Sequence, residues 1–279
     1  MLIFRFLRGL ILSIPDGIRG LFRNRYLLRQ MIVRDIAQRY RGSMMGLLWS
    51  LLTPLLMLAI YTYVFGFVFQ ARWPIGDGDD KFHFSLLLFS GLIVHGLFSD
   101  TVSRAPSLIV SQPNFVKKVV FPLEILPISA IGASLFHTLI CIGTLMVFML
   151  ITKGAIPWTA PLFPLVLIPM LFHLAGLCWF LASLGVFLRD ISQIIGLVMT
   201  MVMFTAPIFY PLSAAPVVLR NILFLNPLTV PVEALRAVTI YGTQPDWTML
   251  GWYMVAGVLI AALGHYWFLR TRRAFADVL

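Results

Sequence analysis

The sequence predicts an all-α integral membrane protein with six transmembrane helices, and three observations lead to this prediction. First, 60% of the 279 residues are hydrophobic and only 11% are charged, against about 25% charged residues in a soluble domain. Second, the mean hydropathy of +0.93 means more apolar surface than a soluble core could hide. Third, the charged residues are confined to short segments between long apolar runs.

Six runs of the sequence lack Asp, Glu, Lys and Arg and are long enough to cross a hydrocarbon core, which takes about 17–25 helical residues. A helix satisfies its own backbone hydrogen bonds within lipid, so we expect these runs to be helical. They form a membrane domain over residues 42–269. The expected spans are about 45–69, 82–104, 125–152, 161–188, 191–211 and 248–269.

The distribution of basic residues predicts the orientation of these spans. When the N-terminus is placed in the cytoplasm and the loops alternate sides, 16 of the 21 Lys and Arg residues fall inside, as the positive-inside rule requires. The five outside are Arg72, Lys81, Lys153, Arg220 and Arg236. We therefore expect both termini, including the short tail 270–279, to be cytoplasmic.

Within the outer segment 212–246, the stretch 220–246 is apolar enough to suggest a seventh crossing, but that crossing would carry the basic tail outside. It also contains polar and helix-breaking residues: Asn226, Pro227, Pro231, Glu233 and Arg236. We therefore expect short re-entrant helices between spans five and six. Non-helical backbone at membrane depth is tolerated only against protein or a water-filled cavity, so this segment indicates a pathway.

Residues 1–41 are predicted to form a cytoplasmic amphipathic arm. Arg5 and Arg8 interrupt the apolar start, which is unlike a signal peptide. After a break at Pro15, a helix over about 17–40 places apolar residues on one side and arginines elsewhere. Such a basic helix lies in the membrane interface near anionic headgroups. It serves as an anchor, or as a helix that also meets a cytoplasmic partner.

Motifs for chemistry within this chain are absent from the sequence. There is no phosphate-binding loop, no H-E-x-x-H motif and no paired-cysteine motif, so we expect no catalytic residue, cofactor or metal site here. Cys141 and Cys178 lie in apolar stretches and are expected to be packing residues. The net charge of +10 is explained by topology, and no nucleic-acid partner is expected.

Ionisable residues within the spans are scarce, which disfavours an ion-coupled carrier. Asp100 and Arg104 lie four residues apart at the inner end of the second span, and we expect them to form an interfacial pair. The energy for transport is then expected to come from outside the chain.

Aromatic residues are dense along the first span, where Tyr61, Phe65 and Phe69 share a face at spacings of four. They are interpreted either as an interfacial aromatic belt or as a surface on which sugar rings stack. The inner loop 107–127 is expected to contain a short helix parallel to the membrane. That loop is either a plain connector or a docking element for a soluble motor.

Several motifs resemble those of a known family, in order along essentially the whole chain. They are Val33-Arg34-Asp35-Ile36, Arg39-Tyr40-Arg41-Gly42-Ser43, Leu47-Leu48-Trp49 with Pro54, Phe187-Leu188-Arg189-Asp190, Pro207-Ile208-Phe209-Tyr210, Asn226-Pro227 and Glu233-Ala234-Leu235-Arg236. The pattern resembles membrane permeases of the polysaccharide-export ABC transporters, which export O-antigen, capsule or teichoic acid.

The resemblance implies a homodimer in the cell inner membrane that encloses a channel for an undecaprenyl-linked glycan. It also implies two copies of a separate ATPase, which would carry the ATP and Mg²⁺. This chain would then be a non-enzymatic subunit, and O-antigen-like export is the favoured substrate class. A long glycan cannot be enclosed whole in a pocket, so we expect a continuous channel with stepwise advance.

The resemblance also assigns roles to residues. The cytoplasmic gate, whose basic side chains could receive the lipid pyrophosphate, comprises Arg34, Asp35, Arg39, Tyr40 and Arg41. The ATPase-coupling loop contains Gln112, Asn114, Lys117 and Lys118. Candidate channel-lining aromatics are Trp49, Tyr61, Phe65, Phe69, Phe209 and Tyr210. Glu233 and Arg236 belong to the outer helices.

Three alternatives stay open at this point. The first is an ABC exporter of drugs or lipids with the same architecture. The second is a membrane-embedded glycosyltransferase or acyltransferase, which would usually show clustered carboxylates at a membrane face. The only acidic cluster, Asp77, Asp79 and Asp80, is typical of a solvated turn. The third is a passive channel that needs no ATPase.

Overall fold

The computed structural model describes residues 19–41, 43–69, 81–117, 121–214, 216, 220 and 222–279, except for the side chains of residues 40 and 81. Within these ranges every regular element is helical and no strand is present, which confirms the all-α class. Predictions for residues 1–18, the side chain of Tyr40, Lys118 and the acidic cluster of the first outer loop lie outside the described residues.

The helices whose bounds fall within the described residues are numbered along the chain. In chain order they are α1 (Arg25–Tyr40), α2 (Trp49–Tyr61), α3 (Lys81–Arg104), α4 (Ser107–Val110), α5 (Pro113–Lys117), α6 (Ile125–Lys153), α7 (Phe163–Phe187), α8 (Ile191–Thr205), α9 (Thr229–Arg236), α10 (Trp247–Thr271) and α11 (Phe275–Val278). π-Helical turns extend α2 over Thr62–Val68 and α9 over Ala237–Tyr241. Among the 3₁₀ turns are Gly46–Leu48 before α2, Ala160–Leu162 before α7 and Arg272–Ala274 after α10.

Within the described ranges, five helical stretches are long and apolar enough to cross a membrane. They are Gly46–Val68, Phe82–Arg104, Ile125–Lys153, Ala160–Phe187 and Trp247–Val278. Much of their surface is apolar and exposed, especially along the stretch that contains α2. In a soluble protein such a surface would be a liability, whereas a bilayer solvates it.

The fifth predicted span is the exception. Helix α8 has 15 residues and ends at Thr205 instead of continuing to about 211, so it is about 22 Å long against a hydrocarbon core of about 30 Å. It ends there because Ala206 precedes Pro207, and a residue before proline is driven to the extended conformation; its ψ is 152°. Six full-length spans are therefore not seen, and the six-span count stays a prediction.

Helices α7 and α10 form the most extensive contact between elements, and glycines permit it. A Cβ atom built on Gly264 would lie 2.0 Å from the carbonyl oxygen of Gly176, and one on Gly176 would lie 2.3 Å from that of Ile260. Membrane helices associate through such small residues because lipid supplies no hydrophobic drive between them. The two backbones meet directly at this crossing.

The two ends of the helical bundle are formed by different connecting segments. At one, which we call the basic end, Arg272 after α10 contacts Glu124 before α6 at 3.2 Å, and α11 packs against α5 and α7. At the opposite end, Lys153 Nζ of α6 lies 3.1 Å from His83 Nδ1 of α3. Thr159 there donates to the carbonyl of Val238 at 2.7 Å. The predicted inner and outer segments thus collect at different ends.

Candidate functional site

Helix α1 is attached to the basic end through Asp35, a carboxylate that is almost fully buried. Arg34 Nη2 lies 3.2 Å from Asp35 Oδ1, and Ser129 Oγ of α6 donates to Asp35 Oδ2 at 3.0 Å. Arg34 Nη2 also donates to Gln112 Oε1 at 3.2 Å. Two predicted gate residues and one residue of the predicted coupling loop therefore share one polar network.

An aromatic contact reinforces this connection between α1 and the loop. The Arg34 guanidinium lies 5.8 Å from the centroid of the Phe115 ring, within the range of a cation–π interaction. Phe115 in turn stacks on Phe121 with centroids 4.4 Å apart and planes 9° from parallel. A movement of α5 would therefore be transmitted to Arg34 through both a hydrogen bond and a ring.

A second network attaches α1 to the membrane helices α3 and α6. Arg39 forms an ion pair with Asp100 of α3, and Ser134 of α6 donates to the other carboxylate oxygen. The predicted pair of Asp100 with Arg104 is wrong in this respect, because Asp100 is bound by Arg39 instead. Spacing along one helix did not reveal that α1 folds back alongside α3 and α6.

Three further residues predicted for the gate and the coupling loop take part in neither network and are exposed to solvent. Arg41, Asn114 and Lys117 all have exposed side chains. The C-terminal tail also packs at the basic end, because Phe275 of α11 is fully buried and α11 lies against α5. Sequence reasoning treated 270–279 as a plain tail, although an apolar residue after three arginines was a signal that it docks.

The predicted aromatic face of the first span is divided by the π-helical turn. Tyr61 and Phe65 are partly buried against the core, and Phe65 lies 5.4 Å from the ring of Phe84 in α3. Phe69 is exposed, as are Tyr63 and Phe67, which the prediction omitted. The spacing of four that aligns side chains in an α-helix does not hold in a π-helix. Trp49, at the other end of α2, is also exposed.

Tyr61 lines a cavity of about 210 Å³ between α2, α3 and α6. His137, Thr138 and Cys141 of α6 face the same cavity. Phe209 and Tyr210, in the bend after α8, are half-buried: Phe209 stacks on Phe204 at 5.6 Å, and the Tyr210 hydroxyl donates to the carbonyl of Thr205.

Arg236 is the most deeply buried charge described. None of its surface is exposed. Its guanidinium donates to the carbonyls of Leu87 in α3 (3.1 Å), Pro207 (2.6 Å) and Ile208 (2.9 Å). Glu233, one turn earlier in α9, accepts from it at 2.9 Å. Burial lowers the pKa of Arg236, while the charge of Glu233 opposes that shift.

This cluster, which we call the guanidinium clasp (Arg236, Glu233 and the carbonyls of 87, 207 and 208), explains how the chain can break its helix after α8. The carbonyls of Pro207 and Ile208, which are freed at the break, are bound by the arginine instead of facing lipid. Gly91 leaves room for the clasp, since a Cβ there would lie 3.3 Å from the guanidinium. Asn226 completes the joint by donating to Val202 O and Thr205 Oγ1, both at 2.8 Å.

Within the described part of the chain, no group of three or more His, Cys, Asp or Glu side chains could hold a metal ion. The two cysteines are buried and unpaired with each other.

The comparisons with known proteins agree with one another. The sequence model of the family described as "ABC-2 type transporter" matches residues 26–240. A Myxococcus xanthus protein, "O-antigen export system permease protein RfbA", is 29% identical over 231 residues, which cover 82% of this chain and 86% of that protein. Two Klebsiella pneumoniae proteins of the same name are 24% and 23% identical over 259 residues, which cover 91% of this chain and 96% of each relative.

Proposed function

This chain belongs to the ABC-2 type transporter family, and we propose that it is the membrane subunit of an ATP-driven exporter of O-antigen-type polysaccharide. The relatives that carry the name O-antigen export permease match this chain over most of their length. The substrate is then a glycan linked to a lipid pyrophosphate such as undecaprenyl pyrophosphate. The membrane is the cell inner membrane, with both termini in the cytoplasm.

The observation that carries the proposal is the network around Asp35. It joins α1 to Gln112 beside α5 and to Ser129 on α6. A separate motor that pushes on the loop would therefore move α1 and the inner end of a membrane helix together. The exposed side chains of Asn114 and Lys117 are available to such a motor, which we propose to be a dimer of an ABC ATPase.

Two copies of the chain are proposed to enclose the channel. A large exposed apolar surface runs along the stretch that contains α2 and along α8. The exposed rings of Trp49, Tyr63, Phe67 and Phe69 lie on the first of these. In a dimer they would offer flat apolar faces to sugar rings, whose hydroxyl groups stay hydrated.

The decisive experiment is complementation of a host strain that lacks this gene. Wild-type chain should restore surface polysaccharide and should co-purify with an ATPase encoded nearby. Asp35→Ala and Lys117→Glu should each reduce surface polysaccharide while the chain still reaches the membrane. Arg189→Glu reverses another exposed arginine of the basic end that lies outside both networks, and it should leave export near the wild-type level.

Two results would contradict the proposal. If deletion of the gene leaves surface glycan unchanged but alters resistance to drugs or lipid distribution, the chain is an ABC exporter of another substrate class. If the chain moves glycan without any ATPase, the coupling role of the Asp35 network is wrong.

A further inference from the structure

A long groove runs between α7 and α10 on the side of their glycine crossing nearest the basic end. Its volume is about 590 Å³. Gly176 and Gly264 line it together with apolar side chains, which we call the walls. These walls are Leu177, Phe180, Ile260, Leu263 and Trp267.

The groove has the dimensions of one leaflet. Its lining on α10 extends from Ile260 to Thr271, which corresponds to about 17 Å at 1.5 Å per residue. A hydrocarbon core is about 30 Å thick, so the groove spans roughly the half nearest the basic end. An extended acyl chain of that leaflet would lie along it.

The mouth of the groove carries a positive charge. Arg270 is exposed and lines the groove, and its guanidinium lies 5.2 Å from the centroid of the Tyr266 ring. Its neighbour Arg272 is neutralised by Glu124 at 3.2 Å. Among the described carboxylates none forms an ion pair with Arg270, so its donors are available to an external anion.

We propose that this groove binds an anionic glycerophospholipid of the leaflet at the basic end. One acyl chain lies between α7 and α10, and the phosphate is bound by Arg270. The apolar walls favour binding of an acyl chain. The guanidinium of Arg270, which no described carboxylate neutralises, favours an anionic headgroup over a zwitterionic one. With the orientation proposed above, this is the cytoplasmic leaflet. The groove lies away from the proposed glycan path along α2, because the extensive contacts of α2 are with α3 and α6 and not with α7 or α10.

Photolabelling of the full-length chain in phosphatidylcholine nanodiscs tests this proposal. One sample contains a phosphatidylglycerol probe with a diazirine in its acyl chain, and the other contains the matching phosphatidylcholine probe. Mass spectrometry then measures adducts in the peptides around 176–180 and 260–267. The phosphatidylglycerol probe should label these peptides about five-fold more than the phosphatidylcholine probe, the ratio expected from one basic residue near an anionic lipid.

Three variants separate the headgroup site from general lipid contact. Arg270→Gln should bring the ratio of the two probes close to one, and Arg270→Lys should keep it above one. Arg273→Gln, which removes another exposed arginine of the same end, should leave the ratio unchanged. A further variant, Leu263→Trp, should fill the groove and reduce labelling by both probes. Each variant is first checked for a wild-type size-exclusion profile.

Equal labelling of the wild type by the two probes would overturn the proposal, and so would an equal loss with Arg273→Gln. Displacement of the phosphatidylglycerol probe by unlabelled polyprenyl phosphate would also overturn it, because the groove would then belong to the substrate lipid. Loss of glycan export in the complementation assay, with unchanged lipid labelling, bears only on the proposed function.

Discussion

At the basic end, Arg34 and Arg39 reach carboxylates through side chains that keep 32% of their surface exposed, whereas Arg236 at the opposite end is completely buried and binds backbone carbonyls. Both ends use arginine, yet the energetic consequences differ. A partly hydrated ion pair contributes little and is weakened by salt, while removal of one partner from a buried charge cluster is strongly destabilising. The opposite end is therefore rigidly held, whereas the Arg39–Asp100 pair of the basic end can separate at low energetic cost.

Arg236→Met should lower the stability of the chain more than a substitution at the basic end. It removes the donors for three carbonyls and leaves Glu233 without its partner, so the unfolding free energy should fall by about 3–5 kcal/mol. The measurement is thermal unfolding of the purified chain in detergent. The control is Arg220→Met in the same outer segment, since Arg220 is only partly buried. A loss no greater than that of the control would show that the clasp is not a fixed joint.

Gly264→Ala should have the next largest effect. The added Cβ would lie 2.0 Å from the Gly176 carbonyl, and such overpacking typically costs about 1–3 kcal/mol. Gly251→Ala on the same helix meets nothing within 4 Å and should be neutral or slightly stabilising. If the two variants unfold at the same temperature, α7 and α10 do not approach as closely as the structure indicates.

Charge reversal of the Arg39–Asp100 pair should have a smaller effect. Arg39→Asp or Asp100→Arg places like charges together, and each should lower stability by about 1 kcal/mol or less because the pair is partly hydrated. The double exchange should recover part of the loss, and the difference between single and double variants should shrink at high salt. A salt-independent loss would mean that the basic end is as rigid as the clasp.

Lys117→Ala should have the smallest effect on folding, within about 0.5 kcal/mol, because its side chain is exposed. Its expected effect is on partner binding, measured as co-purification of the proposed ATPase. Arg189→Ala serves as the matched exposed residue. Normal co-purification for Lys117→Ala, with a loss for Arg189→Ala, would move the docking surface away from the loop.

The fold class and the division into two charged ends could be predicted from the sequence, because apolar run length and loop charge are local properties. The end of α8 could also have been predicted, because Pro207 disfavours a helical conformation at Ala206. The predicted span followed the apolar run instead and was therefore too long. The partner of Asp100 could not be predicted, because it depends on how α1 packs against α3 and α6.

Some residues of the candidate site were predicted correctly and others were not, again because contacts between distant segments cannot be inferred from local sequence. Arg34, Asp35 and Gln112 were selected because of the family resemblance, and the structure brings them together. The aromatic set was less accurate, because a π-helical turn cannot be inferred from side-chain spacing and it changes which rings share a face. Sequence analysis placed Glu233 and Arg236 in the outer helices but predicted no partner for Arg236, because its carbonyl partners lie on other chain segments.

The clasp also sets an order of assembly. Arg236 and Leu87 are separated by 149 positions along the chain, so at about 5–20 residues per second the ribosome needs on the order of 7–30 s to add the arginine after it has added Leu87. During that interval the space beside Gly91 of α3, which the Arg236 guanidinium occupies in the folded chain, is not yet filled by that side chain. The last third of the polypeptide therefore closes the bundle, and truncated chains that end before α9 should be recognised by membrane quality-control proteases as incomplete.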